Sequence, residues 1–271
     1  MALTFHKFHG AGNDFIILDD RGGAFEKQIK DPGKFISGLC KRQYGVGSDG
    51  LMLLRACNDA DFAMVYYNSD GREGSLCGNG GRCITAFASS IGLVGGKTRF
   101  KAVDGMHEAV INHQGVNTWD ISLRMQDVDS IHGEGREFVL NTGSPHLVIF
   151  SENLLDKDVY AEGRALRYAP AFAKDGINVN FAEVLDHSTI RMRTYERGVE
   201  NETLACGTGA TATALAAWQA GFRNPENRYT LKAPGGELRV TFTPPRPAEP
   251  AFTEIWLSGP AEKVFTGTLE P

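Results

Sequence analysis

The chain has 271 residues, of which 42% are hydrophobic and 23% charged, as in a globular protein with room for two domains of ordinary size. Its net charge of −5 provides no basic field for nucleic acid. No apolar run approaches the roughly 18 residues of a transmembrane helix, and the N-terminus lacks the apolar core of a signal peptide, so no membrane association is expected.

The first half of the chain alternates short strands with turns. The pattern predicts strands at 5–8, 15–18, 51–54 and 62–67, a helix at 35–43, and a hairpin within 98–111 around Asp104-Gly105. The Gly-rich turn at 9–14 lacks the GxGxxG fingerprint, so no dinucleotide site is predicted there.

The same kind of pattern starts again near Trp119. Strands are predicted at 121–125, 137–140, 147–150, 177–181 and 189–195, followed by a hairpin within 229–242 and a proline-rich loop at 244–250. The second half therefore predicts much the same succession of elements as the first.

One short motif occurs twice, as Cys77-Gly78-Asn79-Gly80 and as Cys206-Gly207-Thr208-Gly209. Each copy leads into an uncharged run, at 83–91 and 210–220, which predicts a helix buried on all sides. A cysteine at a helix N-terminus has a lowered pKa, because the free N–H groups and the helix dipole favour the thiolate. The glycines also let backbone N–H groups approach an anion closely.

The five cysteines are an odd number without a Cys-x-x-Cys pair. This usage indicates free thiols in a reducing cytoplasm rather than a disulfide framework. The spacing also lacks a zinc signature, so no metal is predicted.

Further landmarks recur at an offset of roughly 130 residues, which indicates an internal repeat. They include Asn13 with Ser144, Tyr67 with Tyr195, and the two motif cysteines. The repeat predicts an α/β fold of the α+β type with two homologous, pseudo-symmetric half-domains, at 1–115 plus 260–271 and at 116–259. Each half is expected to wrap a mostly antiparallel sheet around its buried helix, with the active site in the cleft between the halves.

Two cysteines that faced each other across such a cleft could invert a stereocentre. One thiolate would remove a proton from carbon, and the other thiol would deliver a proton to the opposite face. Two helix N-termini could stabilise the negative charge that develops as an α-proton leaves. No motif for pyridoxal phosphate is evident, so no cofactor is predicted.

At full length the chain resembles the diaminopimelate epimerase family. The resemblance rests on HGAGNDF at 9–15, YNSDG at 67–71, LCGNGGRC at 76–83, GSPH at 143–146, GINV at 176–179, YERG at 195–198 and ETLACGTGA at 202–210. It implies interconversion of LL- and meso-2,6-diaminopimelate without pyridoxal phosphate, in the biosynthesis of lysine and peptidoglycan precursors. It also implies a cytoplasmic homodimer.

The resemblance assigns roles to residues through the matching motifs. Cys77 and Cys206 correspond to the catalytic acid–base pair. The residues implied to contact substrate are Gly78, Asn79, Gly207 and Thr208 at the reacting carboxylate, Glu196 at the α-ammonium, Asn68, Asn178 and Arg197 at the distal end, and Asn13. His146 and Glu196 correspond to the pair that tunes the thiols.

The chain departs from the family pattern at three positions. Ser144 stands where many members carry a substrate-binding asparagine, and it has a shorter reach. Gly50 replaces a glutamine of some members, and Phe265 replaces a tyrosine at their dimer interface.

Three alternatives remain open at the level of sequence. A proline or hydroxyproline racemase shares the two-cysteine logic, but Asn79, Glu196 and Arg197 argue against it. A thiol redox protein would use a reversible disulfide between Cys77 and Cys206 in its activity. A non-catalytic amino-acid-binding module would keep its binding after Cys→Ser substitution at both positions.

Overall fold

The computed structural model describes residues 2–74 and 77–270, so Leu76 of the first cysteine motif lies outside the described residues. By its internal packing the chain divides into two compact units. The first unit comprises Met1–Leu123 with Gly259–Pro271, and the second comprises Arg124–Ser258. The homologous half-domains at 1–115 plus 260–271 and at 116–259 stay a prediction.

The first unit contains strands β1 to β7 and three helices. The strands are β1 (Leu3–Gly10), β2 (Asn13–Asp19), β3 (Gly50–Arg55), β4 (Phe62–Asn68), β5 (Lys97–Ala102), β6 (Gly105–Gln114) and β7 (Thr118–Arg124), the last of which ends at the boundary of the unit. The helices are α1 (Ala24–Gln28), α2 (Pro32–Cys40) and α3 (Gly78–Ser90).

The second unit contains strands β8 to β16 and two further α-helices. The strands are β8 (Ile131–Glu134), β9 (Glu137–Asn141), β10 (Pro145–Phe150), β11 (Asn178–Val184), β12 (Thr189–Glu196), β13 (Asn201–Thr203), β14 (Arg228–Ala233), β15 (Gly236–Thr243) and β16 (Thr253–Leu269). The helices are α4 (Val159–Arg167) and α5 (Gly207–Gln219), with a 3₁₀ turn at Leu154–Asp156. The last residues of β16 belong to the first unit, where they pair with β1.

The two units repeat one order of strand pairing. In the first unit, antiparallel pairs β1–β2, β3–β4 and β5–β6 are joined by parallel contacts of β2 with β3 and β4 with β5. In the second unit, antiparallel pairs β9–β10, β11–β12 and β14–β15 are joined by parallel contacts of β10 with β11 and β12 with β14. Each sheet is thus mostly antiparallel, as the sequence predicted.

Each sheet packs around one buried helix. Helix α3 contacts β1, β2, β3 and β6, and helix α5 contacts β9 to β12, β14 and β15. Residues 78–88 of α3 are all buried, and so are residues 207–217 of α5 apart from the half-buried Thr208. Small residues (Gly, Ala, Ser, Thr and Cys) make up most of both helices, and such small side chains let surrounding strands approach the helix axis closely.

The two central helices begin and end in the same way. Cys77 and Cys206 are the N-cap residues, both with extended backbone, so that each helix starts at the following glycine. Gly92 and Gly221 follow the C-termini with φ of 71° and 94°, in the left-handed region that glycine adopts at low cost. The helices start earlier than the predicted runs at 83–91 and 210–220, because the Gly-polar-Gly segments are already helical.

The other described helices, α1, α2 and α4, differ from the sequence predictions, which did not include α1. Helix α2 begins at Pro32, capped by Asp31, and ends at Cys40 rather than continuing to Gln43, whose φ is 72°. Proline is favoured in the first turn of a helix, which explains the earlier start. Helix α4 was not predicted, although Asp158 caps it by accepting the Ala161 N–H at 2.9 Å. None of the described helices is long and apolar enough to cross a membrane.

Candidate active site

Cys77 lies where the chain enters α3 and is half-buried. Its carbonyl accepts the Gly81 N–H at 2.8 Å, the first hydrogen bond of the helix. The N–H groups of Gly78 and Asn79 belong to the first turn, where a helix has no internal acceptor for them. The cysteine thus lies at the positive end of a helix dipole, as the sequence predicted.

The Asn79 side chain connects the first turn of α3 to the start of β2. Its Nδ2 donates to Asn13 Oδ1, and Asn13 Nδ2 donates to Asp49 Oδ2 at 3.0 Å. Asn79 is fully buried and Asn13 is partly buried. The structure therefore brings together two of the predicted substrate-binding residues beside Cys77.

Arg82 is a fully buried cation one helical turn after Gly78. Its guanidinium donates to Asn79 Oδ1 at 2.8 Å and to the carbonyls of Gly78 and Pro260 at 3.4 Å. Burial lowers the pKa of Arg82, and the nearby thiols of Cys83 and Cys77 act in the opposite direction. A positive charge in this place favours the thiolate form of Cys77.

Asn68 is the last residue of β4, and a turn follows it. Its N–H donates to the Arg72 carbonyl at 2.8 Å, and its side chain is exposed. Gly50 pairs with Asn68 on the neighbouring strand. A Cβ added at Gly50 would lie 2.5 Å from the Tyr67 carbonyl oxygen and 2.5 Å from the Tyr66 ring, so the space of a side chain at this position is filled by Tyr66.

Cys206 lies where the chain enters α5 and is 7% exposed. Its Sγ accepts the N–H of Gly209 at 3.4 Å, so the thiol itself caps the helix. The Thr208 hydroxyl lies 3.5 Å from the same sulfur. One backbone donor and one hydroxyl of the first turn thus lie beside this sulfur, and the N–H of Gly209 favours a negative charge on it.

His146 is fully buried next to Thr208. Its Nε2 lies 2.9 Å from Thr208 Oγ1, and its Nδ1 lies 2.9 Å from Asn180 Nδ2. Burial, together with the charge of Arg197, lowers the pKa of His146 to about 3. The imidazole is therefore neutral at physiological pH, and it contacts Cys206 through Thr208.

Ser144, Asn178 and Arg197 form a second cluster in this unit. Asn178 Nδ2 donates to Ser144 Oγ at 2.8 Å, and Asn178 Oδ1 accepts the Arg197 N–H at 2.9 Å. The exposed guanidinium of Arg197 donates to the Asp175 carbonyl at 2.8 Å. Three predicted binding residues therefore meet here, and Ser144 keeps a contact to Asn178 despite its short side chain.

Glu196 is the last residue of β12 and is partly buried. The segment after it is held by Glu200, which accepts the Gly198 N–H at 3.1 Å and the Tyr195 hydroxyl at 3.1 Å. Arg167 of α4 adds an ion pair to Glu200 at 3.3 Å. Helix α4, which the sequence analysis missed, thus helps to fix the loop that carries Glu196 and Arg197.

The other cysteines lie in different surroundings. Cys40 and Cys83 are buried, and burial raises the pKa of both thiols, which keeps them protonated. Cys57 lies in the loop after β3 and is half-buried. Within residues 2–74 and 77–270, no three His, Cys, Asp or Glu side chains gather as possible ligands of a metal ion.

The sequence analysis missed two residues of these clusters, Asn180 and Arg82. A signal for Asn180 existed, because alternation along β11 places it on the same face as Asn178. Arg82 lay inside a quoted motif, but only the structure reveals that its charge is buried.

We expect Gly209→Ala to disturb the Cys206 site. A Cβ at Gly209 would lie far inside van der Waals contact with Asn180 Oδ1 and 3.3 Å from Cys206 Sγ. The crowding should cost about 1–3 kcal/mol of stability, measured by denaturant unfolding. For an enzyme that uses Cys206 as the acid–base group the sequence predicts, it should also lower kcat on the order of tenfold, because a small displacement of such a group is costly.

Gly80→Ala is the matched control, since Gly80 occupies the same place in α3. A Cβ there would first meet Met52 Sδ, at 3.4 Å, and a flexible thioether accommodates it. This variant should keep near-normal stability and turnover. Equal losses in both variants would contradict the close packing inferred at Gly209.

Comparisons with known proteins agree with the reading of the motifs. A sequence profile described as diaminopimelate epimerase matches residues 5–128 and 138–264. The diaminopimelate epimerase of Flavobacterium psychrophilum is 45% identical over 98% of this chain and 100% of its own. That of Aquifex aeolicus is 36% identical over 98% of both chains.

A comparison of folds gives a more distant relationship. The crystal structure of a phenazine biosynthesis protein of the PhzF family from Bacillus anthracis superimposes with a TM-score of 0.76, at 15% identity and full coverage of both chains. This likeness concerns the fold alone, and it confirms the two-domain α+β architecture predicted from the sequence. The sequence profile and the two relatives confirm the predicted resemblance as well: the chain belongs to the diaminopimelate epimerase family.

Proposed function

We propose that this protein interconverts LL- and meso-2,6-diaminopimelate, with Cys77 and Cys206 as the acid–base pair. Membership of the family supports the reaction and the substrate, and it makes the protein an isomerase, as predicted. The observation that carries the proposal is the matched placement of two cysteines, each the N-cap of the buried helix of its own unit. An expected role in lysine and peptidoglycan precursor biosynthesis follows from the same reaction.

The mechanism needs one thiolate and one thiol. The thiolate removes the α-proton from one face of the substrate carbon, and the thiol delivers its proton to the other face. The roles exchange in the reverse direction, so each cysteine is base in one direction and acid in the other. The mechanism therefore requires that both cysteines are reduced and that the two address opposite faces of one carbon.

The acidity of an amino-acid α-proton is the main chemical difficulty, because negative charge develops next to the carboxylate. We propose that the first-turn N–H groups of Gly78, Asn79, Gly207 and Thr208 bind this carboxylate. Helix N-termini bind anions through free N–H groups and the helix dipole. Donors that are held by a buried helix need little rearrangement as charge develops, which is the condition for electrostatic stabilisation of a transition state.

The remaining predicted residues recognise the rest of the substrate in this proposal. Arg197, Asn178 and Asn68 hold the distal amino-acid group, and Glu196 contacts the α-ammonium. The cluster of Ser144, Asn178 and Arg197 supports the first assignment, because it presents a guanidinium at the surface with its backbone already fixed. Asn13 is proposed as a further contact beside Asn79.

His146 is proposed to tune the thiols through a hydrogen bond rather than through a charge of its own. A neutral imidazole supplies no charge, but it hydrogen-bonds Thr208, whose hydroxyl lies beside Cys206 Sγ. Arg82 supplies a buried positive charge in the other unit, close to Cys77. In this proposal the two thiols are stabilised by different groups, and Glu196 keeps both of its proposed parts, at the α-ammonium and in tuning the thiols.

A homodimer and a cytoplasmic location are proposed as well. Val264 and Phe265, in the part of β16 that pairs with β1, are 55% and 45% exposed. Phe265 also packs edge-on against Phe5, with ring centroids 5.9 Å apart. An apolar surface in the place of the family's interface tyrosine supports a dimer contact that relies on apolar burial.

The direct test is to incubate purified, reduced protein with LL-diaminopimelate and to follow the ratio of diastereomers. Appearance of the meso form supports the proposal. A protein that binds diaminopimelate and leaves the ratio unchanged would be a binding module, and one that is active only with a disulfide between Cys77 and Cys206 would be a redox protein. Turnover of proline instead of diaminopimelate would favour the racemase alternative.

We expect deuterium incorporation to show that one group removes the proton and a different group delivers the new one. In deuterated water, early meso product should carry deuterium at the inverted carbon, because the delivering thiol has exchanged with solvent. Unreacted LL substrate should carry little, because the thiol that took its proton can return that proton. Mass spectrometry of both diastereomers at low conversion measures the labels. Early product that is mostly unlabelled would indicate a single base that serves both faces.

A further inference from the structure

The polar groups around His146 determine its tautomer. The Leu147 carbonyl, which can only accept, lies 3.2 Å from Asn180 Nδ2, so the amide nitrogen is on this side. Thr194 Oγ1 donates to Asn180 Oδ1 at 3.0 Å, which fixes the same orientation from the other end. Both ends of this fully buried amide are therefore defined by hydrogen bonds.

The fixed orientation of the Asn180 amide determines which nitrogen of the His146 ring carries the proton. Asn180 Nδ2 lies 2.9 Å from His146 Nδ1, and an amide nitrogen can only donate. Nδ1 therefore accepts, and the single proton of the neutral ring lies on Nε2. From Nε2 it is donated to Thr208 Oγ1 at 2.9 Å.

The hydroxyl of Thr208 then has its own proton to give. Its oxygen already accepts from His146, and Cys206 Sγ lies 3.5 Å away. The Thr208 main chain is held as well, because Thr142 Oγ1 donates to its carbonyl at 2.9 Å. Four groups thus form a directed chain of hydrogen bonds that runs from Asn180 to the sulfur.

We propose that Asn180 is a positioning residue for the epimerisation, which holds His146 in the Nε2–H tautomer so that Thr208 donates a hydrogen bond to the Cys206 thiolate. The proposal rests on the proposed function for the identity of the reaction. Asn180 acts through two other side chains and contacts no reacting atom. Its role differs from the thiol-tuning role of His146, since it decides the direction in which the chain of hydrogen bonds runs.

The first unit has no such chain at the corresponding positions. By the order of strands and their register, Phe15 on β2 pairs with Gly50 as His146 on β10 pairs with Asn178. Two residues further along β3 lies Met52, whose Sδ faces Gly80 as Asn180 Oδ1 faces Gly209. Phenylalanine and methionine side chains have no polar hydrogen to donate, so these positions of the first unit do not repeat the chain of hydrogen bonds that leads to Cys206.

The test combines kinetics with the spectrum of one histidine. Thr208→Val keeps the shape and the backbone and removes the hydroxyl, and it should lower kcat about tenfold, as for loss of a hydrogen bond to a charged group. KM should change by less than about twofold, because the backbone N–H that is proposed to bind substrate is intact.

Thr208→Ser should restore kcat. Thr213→Val, which removes a buried α5 hydroxyl with no partner among the described residues, should leave kcat unchanged.

Nuclear magnetic resonance of protein with ¹⁵N-labelled histidine reports the tautomer directly. In the wild-type protein we expect His146 to be neutral with its proton on Nε2, and in Asn180→Leu we expect a population with the proton on Nδ1 together with a fall in kcat. If Asn180→Leu does not fold, the wild-type spectrum and the Thr208 pair decide.

A wild-type His146 with its proton on Nδ1, or a Thr208→Val enzyme with normal kcat, would overturn the proposal. The two hypotheses stay distinguishable. A wild-type protein that fails to epimerise diaminopimelate would refute the proposed function, whereas the spectrum of His146 would still test the hydrogen-bond chain.

Discussion

Replacing either Cys77 or Cys206 by alanine should lower epimerase activity by about 10³-fold or more in both directions, since general acid–base groups contribute about 10²–10⁴ each. Each thiol is base in one direction and acid in the other, so neither direction escapes the loss. The measurement is the initial rate from LL-diaminopimelate and from the meso form, with reductant present. Binding of substrate should persist, because the first-turn N–H groups remain.

Cys57→Ser is the matched control, because Cys57 is a half-buried thiol in a loop that neither cluster includes. It should keep wild-type rates and the same requirement for reductant. If Cys77→Ala retained full activity in one direction, the acid–base pair proposed here would be incorrect, even for a protein that epimerises diaminopimelate.

Arg197→Lys should raise KM for diaminopimelate about 30-fold, equivalent to about 2 kcal/mol. A guanidinium can bind a carboxylate through two parallel hydrogen bonds, whereas an ammonium is a point charge on a flexible stem. The fixed backbone of Arg197, held by Asn178 Oδ1, means that the shorter lysine cannot compensate by moving the loop. Steady-state kinetics over a wide range of substrate concentration measures the change.

Arg191→Lys provides the comparison on β12, the strand that leads into Arg197, where Arg191 pairs with Glu183. A partly exposed ion pair contributes little, so this variant should bind substrate normally. Unchanged KM in Arg197→Lys would remove Arg197 from the substrate site, and an equal rise in both variants would point to a general loss of fold.

Much of the fold was predictable from the pattern of apolar and polar residues along the sequence. Alternation identified most strands, and the uncharged runs after the two cysteines identified the helices at the centre of each sheet. The early start of α2 and the whole of α1 and α4 were missed. An N-cap aspartate gives the main local signal for α2 and α4, α1 has no side-chain cap, and short helices rely on tertiary packing. The resemblance to a family then provided a list of site residues that composition and spacing could not supply.

The internal geometry of the clusters was not predictable in this way. Nothing in the order of residues indicates that Asn180 faces His146, because the contact depends on the parallel register of β10 with β11. The burial of Arg82 depends on the sheet that surrounds α3. The presence of glycine at position 50 is explained by Tyr66, because the Tyr66 ring occupies the space that a longer side chain would need. In each case a neighbour on another strand decides the role of the residue.

The path of β16 also determines the order in which the protein can fold during synthesis. The second unit, Arg124–Ser258, is one continuous segment and can close as soon as the ribosome has released it. The first unit begins earlier but cannot be completed then, because β1 pairs Leu3 with Leu269 and Phe8 with Lys263. Closing contacts over such a separation in sequence is slow. The unit that contains Cys77 is therefore translated first and completed last, and the edge of β1 that β16 covers stays unpaired in the meantime.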